Sequence, residues 1–180
     1  MKNRLVTQED VGVKWLSRDV VITSLVFKIG IFGAVYVLAN LRGKVCPEFV
    51  NYWNLPGGFL DFNETGEEAA SRETFEETGY LIPKEDFSLI ETSTDPKINK
   101  QHVAFRYLAV IESKDTWNYR EYEDIDKALA NLTGEKDEVA NISWIHINSL
   151  NNYNWAFNHK EIILKTYKKH IKYYGSSRNN

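Results

Sequence analysis

The sequence predicts an α+β fold, an α/β/α sandwich around a mixed sheet. Three observations predict it: apolar runs rich in β-branched residues, two stretches with helical spacing, and an order in which strands and helices are interspersed. With 180 residues the chain is long enough for one well-buried domain and short for two, so a single domain with a core at about 20–174 is expected.

Composition narrows the function classes. Hydrophobic residues at 43% and charged residues at 26% exclude a disordered or fibrous chain. A net charge of -3, with the 22 basic residues spread along the sequence, gives no footprint for gripping a phosphate backbone, so no nucleic-acid partner is expected. Cys46 is the only cysteine and cannot form an internal disulfide. The N-terminus, with Lys2, Arg4, Glu9 and Asp10, lacks the apolar core of a signal peptide. A cytoplasmic address fits these features, and a homodimer is left open.

Taken in order, the first elements lie in the nearly continuous apolar stretch from Val20 to Ala39, long enough to be a membrane span. Lys28 would then sit near mid-membrane at a cost of roughly 2.5–3.5 kcal/mol. Gly30 and Gly33 frame a turn, and Val20, Val21, Ile22, Thr23 and Val26 favour extended chain. Two strands, Val20 to Lys28 and Ala34 to Arg42, explain the stretch without a membrane. Gly43 to Asn51 follows as a surface loop, and Trp53 leads into Pro56-Gly57-Gly58, where two glycines permit a close approach of backbone to ligand.

Thr65 and Glu68 form a capping box that opens a helix, and Gly79 is placed to end it as a left-handed C-cap. Phe87 to Glu91 reads as a short strand and Thr92 to Lys100 as a loop. His102 to Ile111 reads as a strand whose Val103, Phe105, Tyr107 and Ala109 mark one buried side. Lys114 to Glu138 is polar, with Ile125, Leu129 and Leu132 hinting at a helical turn. Ile142 to Ile147 reads as a strand, and Asn158 caps a second helix running to about Tyr174, ahead of a frayed Gly175 to Asn180.

The first helix carries the chemistry. Glu76 and Glu77 lie three and four residues from Glu73, so the three carboxylates share a face with Cβ atoms about 5–6 Å apart. Like charges at 4 Å repel by about 4 kcal/mol at an effective dielectric of 20. A compensating cation is therefore expected, and oxygen-only ligands suit a hard ion, Mg²⁺ or Mn²⁺. Alone, an acidic helix face is ordinary solvated surface. Here it belongs to a longer pattern: Gly58, Glu64, then Arg72-Glu73-Thr74-Phe75-Glu76-Glu77-Thr78-Gly79-Tyr80.

That pattern resembles the Nudix box, with every charged and glycine position present; Thr74 and Tyr80 stand where aliphatic residues are usual. Val35 to Arg42, Trp53 to Gly58, Glu138-Val139-Ala140 before Trp144, and Ala156 to His159 extend the likeness to roughly 20–174. The resemblance implies a Nudix-type fold and a divalent-metal-dependent pyrophosphohydrolase. It implies that Glu73, Glu76 and Glu77 hold the metal, that a carbonyl of the Gly57-Gly58 turn (Gly58) completes the site, and that Arg72 and Glu64 pair to orient it. Glu76 and Glu77 are the base candidates it implies, and Glu138 matches a region where some relatives place theirs; an exposed loop glutamate is the plain reading of Glu138.

For substrate, the resemblance implies a nucleoside diphosphate derivative. Pro96, about sixteen residues beyond the box, matches the ADP-ribose type, although Asp95-Pro96 also makes an ordinary turn initiator. Trp53, Phe105, Trp117, Tyr119 and Trp155 could offer an aromatic platform, packing being the plainer role for each. His159 reads as a hydrogen-bonding residue at a helix N-terminus. The competing readings are a nucleoside triphosphate pyrophosphohydrolase, a nucleotide sensor with little turnover, and a membrane-anchored chain.

Overall fold

The computed structural model describes residues 4–8, 12–30, 32–97, 102–112, 129, 132–134 and 137–172. Lys2, Lys100, Trp117, Tyr119, Ile125 and Tyr174, all named above, lie outside them, as do most of 114–138 and all of 175–180.

The apolar stretch around residue 30 folds as two antiparallel strands, β3 (Asp19–Ile29) and β4 (Val35–Arg42), joined at Gly30 and Gly33. Gly33 takes φ 76° and its N–H donates to the Gly30 carbonyl at 2.9 Å. Among the described residues no helix is long and apolar enough to cross a membrane. Ahead of β3, β1 (Arg4–Gln8) and β2 (Gly12–Leu16) pair as a separate antiparallel hairpin.

Among the described residues, six strands make the main sheet. β5 (Trp53–Asn54), β4, β3, β7 (His102–Glu112) and β6 (Ser88–Ser93) run in that order, and β8 (Val139–His146) pairs with β4 along its other edge. β3 and β7 are parallel from Asp19↔His102 to Ile29↔Glu112, while the other pairs are antiparallel, so the sheet is mixed. Thr92 and Ser93, expected in a loop, belong to β6.

Helices cover both faces. Ala69 and Ala70 of α1 (Gly66–Thr78) pack on Ile22, Val26, Leu38, Tyr107 and Ala109. Ile162 and Ile163 of α2 (His159–Thr166) pack on the other face against Leu25, Phe27, Val37 and Ala39. β7 is consequently covered on both sides rather than one: Ala104 and Arg106 are as buried as Tyr107 and Ala109. The second helix loses α geometry after Thr166; Tyr167–Ile171 forms a π turn closed by Lys172 N–H donating to the Tyr167 carbonyl at 2.9 Å. Leu129 and Leu132 pack on the α1 side of the sheet.

The first helix begins and ends as its sequence dictates. Thr65 accepts from Glu68 N at 3.3 Å while Glu68 accepts from Thr65 N at 2.8 Å, and Gly79 at φ 71° donates to the Phe75 carbonyl at 2.8 Å. Thr74 and Thr78 are fully buried in α1 because each hydroxyl donates to the carbonyl four residues back, Ala70 and Thr74 respectively. Tyr80 is buried edge-on against Trp144 at 5.4 Å.

β3 and β4 pair only over Phe27–Ile29 and Val35–Val37, then separate. Chain from Pro56 to Leu60 fills the gap, with Ile22 N donating to Gly58 O at 2.8 Å, Ser24 N to Pro56 O at 2.8 Å and Leu60 N to Val20 O at 3.0 Å. A Cβ at Gly57 would stand 2.2 Å from the Ile22 carbonyl oxygen. Gly57→Ala is expected to cost about 1–3 kcal/mol in urea unfolding, as overpacking does; an unchanged midpoint would show that the segment is not wedged there.

Candidate active site

The inserted segment carries Gly57 and Gly58 over the middle of α1. Gly57 N donates to Glu77 Oε2 at 3.2 Å, and Asn40 Nδ2, from the centre of β4, donates to the same oxygen at 3.2 Å. A Cβ on Gly58 would stand 2.5 Å from Glu73 Oε1, so this glycine is what lets the loop lie on the carboxylate. The Gly58 carbonyl itself accepts from Ile22 N.

Arg72 organises the rest. Its Nε and Nη2 grip Glu64 as a fork at 2.9 and 2.7 Å, Nη2 also donates to the Phe59 carbonyl at 3.1 Å, and Nη1 reaches Glu73 at 2.7 Å and Glu76 at 3.0 Å. Glu64 in turn accepts from Asp61 N at 2.8 Å, tying the loop before α1 to the helix. The hydrogen bond from Arg72 holds the Glu64 carboxyl below its ordinary range.

Glu73 and Glu77 are 8% and 5% exposed, whereas the Glu76 side chain is about one-third exposed. Burial pushes the Glu73 carboxyl up against the lowering pull of Arg72. Glu77 is pushed well up, by burial first and then by the charges of Glu73 and Glu138. Glu138 is held by its own backbone, whose carbonyl accepts from Gly43 N at 2.6 Å and from Cys46 Sγ at 3.4 Å. A Cβ on Gly43 would collide with Asp137 O at 2.0 Å, so the end of β4 sets how near Glu138 comes.

Among the described residues no three His, Cys, Asp or Glu side chains converge on a common point as metal ligands do. The physical reason is that Arg72 draws Glu73 and Glu76 to itself while Glu77 turns to Gly57 N and Asn40. The donor set nonetheless fits a hard divalent cation: oxygen ligands only, two of them buried and destabilised in their charged form, with one guanidinium shared among three carboxylates.

On the far side of Gly57 and Gly58, over the α2 face of the sheet, lies a cavity of about 450 Å³. Its polar and aromatic lining includes Arg42, His102, Arg106, Phe59, Phe157 and His159. Phe157 stands at φ 53°, half exposed, with Phe49 edge-on at 4.8 Å and the Arg42 guanidinium 5.4 Å above its ring. His159 accepts from Leu55 N through Nδ1 at 3.0 Å. Surrounded by protein and by the charges of Arg106 and Arg42, it is pushed down to about 3 and stays neutral.

The remaining candidates among the described residues pack in the core or lie in a turn. Trp53 and Trp155 pack in the α2-side core and Phe105 in the α1-side core, and none lines the cavity. Pro96 is exposed in a turn in which Asp95 Oδ1 accepts from Lys97 N at 2.8 Å, the turn-initiator role. Arg18 ties this turn to the cavity rim by donating to Thr94 O at 2.8 Å and to His102 O. Sequence reasoning missed Asn40, Asn54 and Arg106. Their signal was present as polar residues at inward positions of otherwise apolar strands, which burial requires to be partnered.

Two expectations follow from the buried charges. Glu77→Gln removes a carboxylate whose charged form the fold disfavours, so without added metal it should melt a few degrees above the wild type, as about 1 kcal/mol gives in a chain of this size; a lower melting point would show Glu77 already compensated. His159, depressed in the folded state, contributes stability that is full above the unfolded value near 6.5 and is lost as pH falls from there towards 3. The wild type should lose about 1–2 kcal/mol more than His159→Gln between pH 6.5 and 5; parallel pH–stability curves would contradict this.

Comparison with known proteins places this geometry. Residues 33–166 match the NUDIX domain family. No curated protein matches the sequence. Among solved structures, a MutT/nudix family protein from Enterococcus faecalis is similar at 20% identity and TM-score 0.65; the match covers 88% of this chain and 64% of that one, so the chain spans less than two thirds of that protein. The NUDIX domain of Shewanella oneidensis NrtR, complexed with ADP ribose, is similar at 18% identity and TM-score 0.63, over 85% of this chain and 88% of that one. A bifunctional NMN adenylyltransferase/ADP ribose pyrophosphatase from Francisella tularensis, complexed with AMP and a Mn ion, is similar at 20% identity and TM-score 0.58, over 84% of this chain and 42% of that one. These likenesses speak for the fold. The family match spans most of the chain and contains the whole loop and helix just described, and the chain belongs to the NUDIX domain family, the Nudix hydrolases.

Proposed function

We propose that the chain hydrolyses the diphosphate linkage of a nucleoside diphosphate derivative, ADP-ribose or a related nucleotide sugar, using Mg²⁺ or Mn²⁺. One observation carries the reading: the Gly57-Gly58 wall is shared, with the buried carboxylates of α1 on one side and a nucleotide-sized cavity on the other. A diphosphate crossing that wall puts its phosphoryl groups beside the carboxylates and one esterified group inside the cavity. The Shewanella NrtR domain, crystallised with ADP ribose, and the Francisella protein, named an ADP ribose pyrophosphatase, support that substrate class.

Glu73, Glu76 and Glu77 would hold the cation. When bound, it would polarise the phosphoryl oxygens and lower the pKa of an attacking water. Arg72, anchored on Glu64, holds Glu73 and Glu76. Gly57 N and Asn40 fix Glu77 in one rotamer, so that it is positioned before substrate arrives. The water's proton passes to a carboxylate; Glu76 has the most exposed of the three helix carboxyls, and Glu77 and Glu138 are the other candidates. Arg42 at the cavity mouth adds positive charge for an anionic ligand.

A panel of ADP-ribose, sugar nucleotides and nucleoside triphosphates, assayed with Mg²⁺ and with Mn²⁺, tests this. Wild type should turn over ADP-ribose or a sugar nucleotide at least a hundredfold faster than Glu77→Gln and lose activity on chelation. No turnover of any compound above the variant would refute the enzyme reading; tight binding without turnover would identify a sensor, and preference for triphosphates would reassign the substrate.

A further inference from the structure

The interface between α1 and the sheet holds two polar atoms that the protein leaves without partners. Asn40 of β4 and Asn54 of β5 are cross-strand partners, so their side chains share a face. That face is the one towards α1: Asn40 bonds Glu77, while Trp53 and Leu55, on either side of Asn54, pack in the α2-side core. The two asparagines are 2% and 3% exposed. Their amide orientations are fixed. Asn40 Nδ2 donates at 3.2 Å to a carboxylate oxygen that also accepts from Gly57 N, and Asn54 Nδ2 donates to the Leu55 carbonyl at 2.9 Å. Both Oδ1 atoms are therefore buried acceptors with no donor. Native folds rarely tolerate such atoms unless a water or an ion supplies the missing partner.

The surroundings decide what the donor is. Donors that face this seam are spent on other groups: Gly57 N on Glu77, and Ser24 Oγ and Thr74 Oγ1 on the Ala70 carbonyl at 3.1 and 2.7 Å. A free buried water has about three hydrogen-bond partners. Between these two oxygens it would meet acceptors and the Glu77 carboxylate, with little to serve its own lone pairs. A water bound to a cation has no such need, since the metal takes a lone pair and makes both O–H groups stronger donors. Mg²⁺ held by carboxylates keeps several of its waters. We propose that Asn40 and Asn54 are positioning residues for the cation: their Oδ1 atoms accept hydrogen bonds from water molecules on the ion that the α1 carboxylates hold, and so orient its hydration shell against the sheet. The inference rests on the proposed function for the presence of that cation. It gives Asn40 two tasks, orienting Glu77 through its N–H and the ion's water through its oxygen.

Asn54→Leu removes one of the two acceptors and leaves the bonds to Glu77 in place. Calorimetric titration with Mg²⁺ alone, without nucleotide, should show at least tenfold weaker binding than wild type, the scale on which outer-shell partners act at metal sites. Without metal the variant should melt at or above the wild type, because an unpaired buried acceptor has been removed. A pair that only holds a structural water gives the opposite pattern, a lower melting point with Mg²⁺ affinity unchanged. Equal Mg²⁺ affinity in wild type and Asn54→Leu overturns the proposal. Where Asn54→Leu does not fold, two variants alike in shape decide: Asn54→Thr, which keeps an oxygen at this position, should bind Mg²⁺ at least fivefold tighter than Asn54→Val, and equal affinities overturn it. A wild type that binds no Mg²⁺ overturns the inference together with the cation. One that binds Mg²⁺ in this Asn54-dependent way and hydrolyses nothing refutes the proposed function and leaves the asparagine pair standing. One that hydrolyses ADP-ribose with Mg²⁺ while Asn54→Leu binds the ion as tightly overturns the pair and leaves the function standing.

Discussion

The insertion of Pro56 to Leu60 between β3 and β4 is the constraint on which the rest of the structure depends. A continuous β3–β4 ladder would satisfy the same backbone groups, but it would leave no route for the chain to cross the sheet plane. Once the strands separate after Phe27 and Val37, the exposed N–H groups of Ile22 and Ser24 need acceptors, and the carbonyls of Gly58 and Pro56 supply them. That pairing fixes the loop's height above α1. Glycine at 57 and 58 is then required by contact rather than by flexibility, since the Ile22 carbonyl lies against one and the Glu73 carboxylate against the other.

From this wedge the electrostatics follow. The loop seals Glu73 and Glu77 from water, which raises the cost of their charge, and Arg72 offsets only part of it because its guanidinium also serves Glu64, Glu76 and the Phe59 carbonyl. A fully neutralised cluster would have little affinity for a cation. An isolated one would oppose folding. Sharing one arginine among three glutamates leaves the site between those limits.

The first helix was legible to the residue, because caps are local chemistry: Thr65, Glu68 and Gly79 act on backbone groups within one turn of themselves. The two central strands were legible too, since β-branched residues and a glycine turn outweighed the length of the apolar run. What could not be read was anything depending on the opposite face of a strand. The alternation of Val103 to Ala109 identified one buried side of β7, and only the docking of α2 shows that Ala104 and Arg106 are buried as well. The cavity escaped for the same reason: its residues come from β3, β4, β5, the segment that follows β5, β7 and the start of α2, which lie far apart in the sequence. Asn40 and Arg106 were visible as misfits in apolar strands, but a misfit says only that a partner exists, not whether it is Glu77, Glu91 or a ligand.

The two sides of the Gly57-Gly58 wall carry opposite charge, and the protein fixes that difference by different means. On the α1 side it comes from carboxylates whose ionisation is strained by burial. On the cavity side it comes from Arg42 and Arg106, while His159 beside them is kept neutral by burial first and then by their charges. On the proposed reading, a diphosphate lying across the wall meets arginines at its esterified end and an acidic cluster needing a cation at its phosphoryl end. The Gly57-Gly58 turn lies between the acidic cluster of α1 and the arginine-lined cavity on the other face of the sheet.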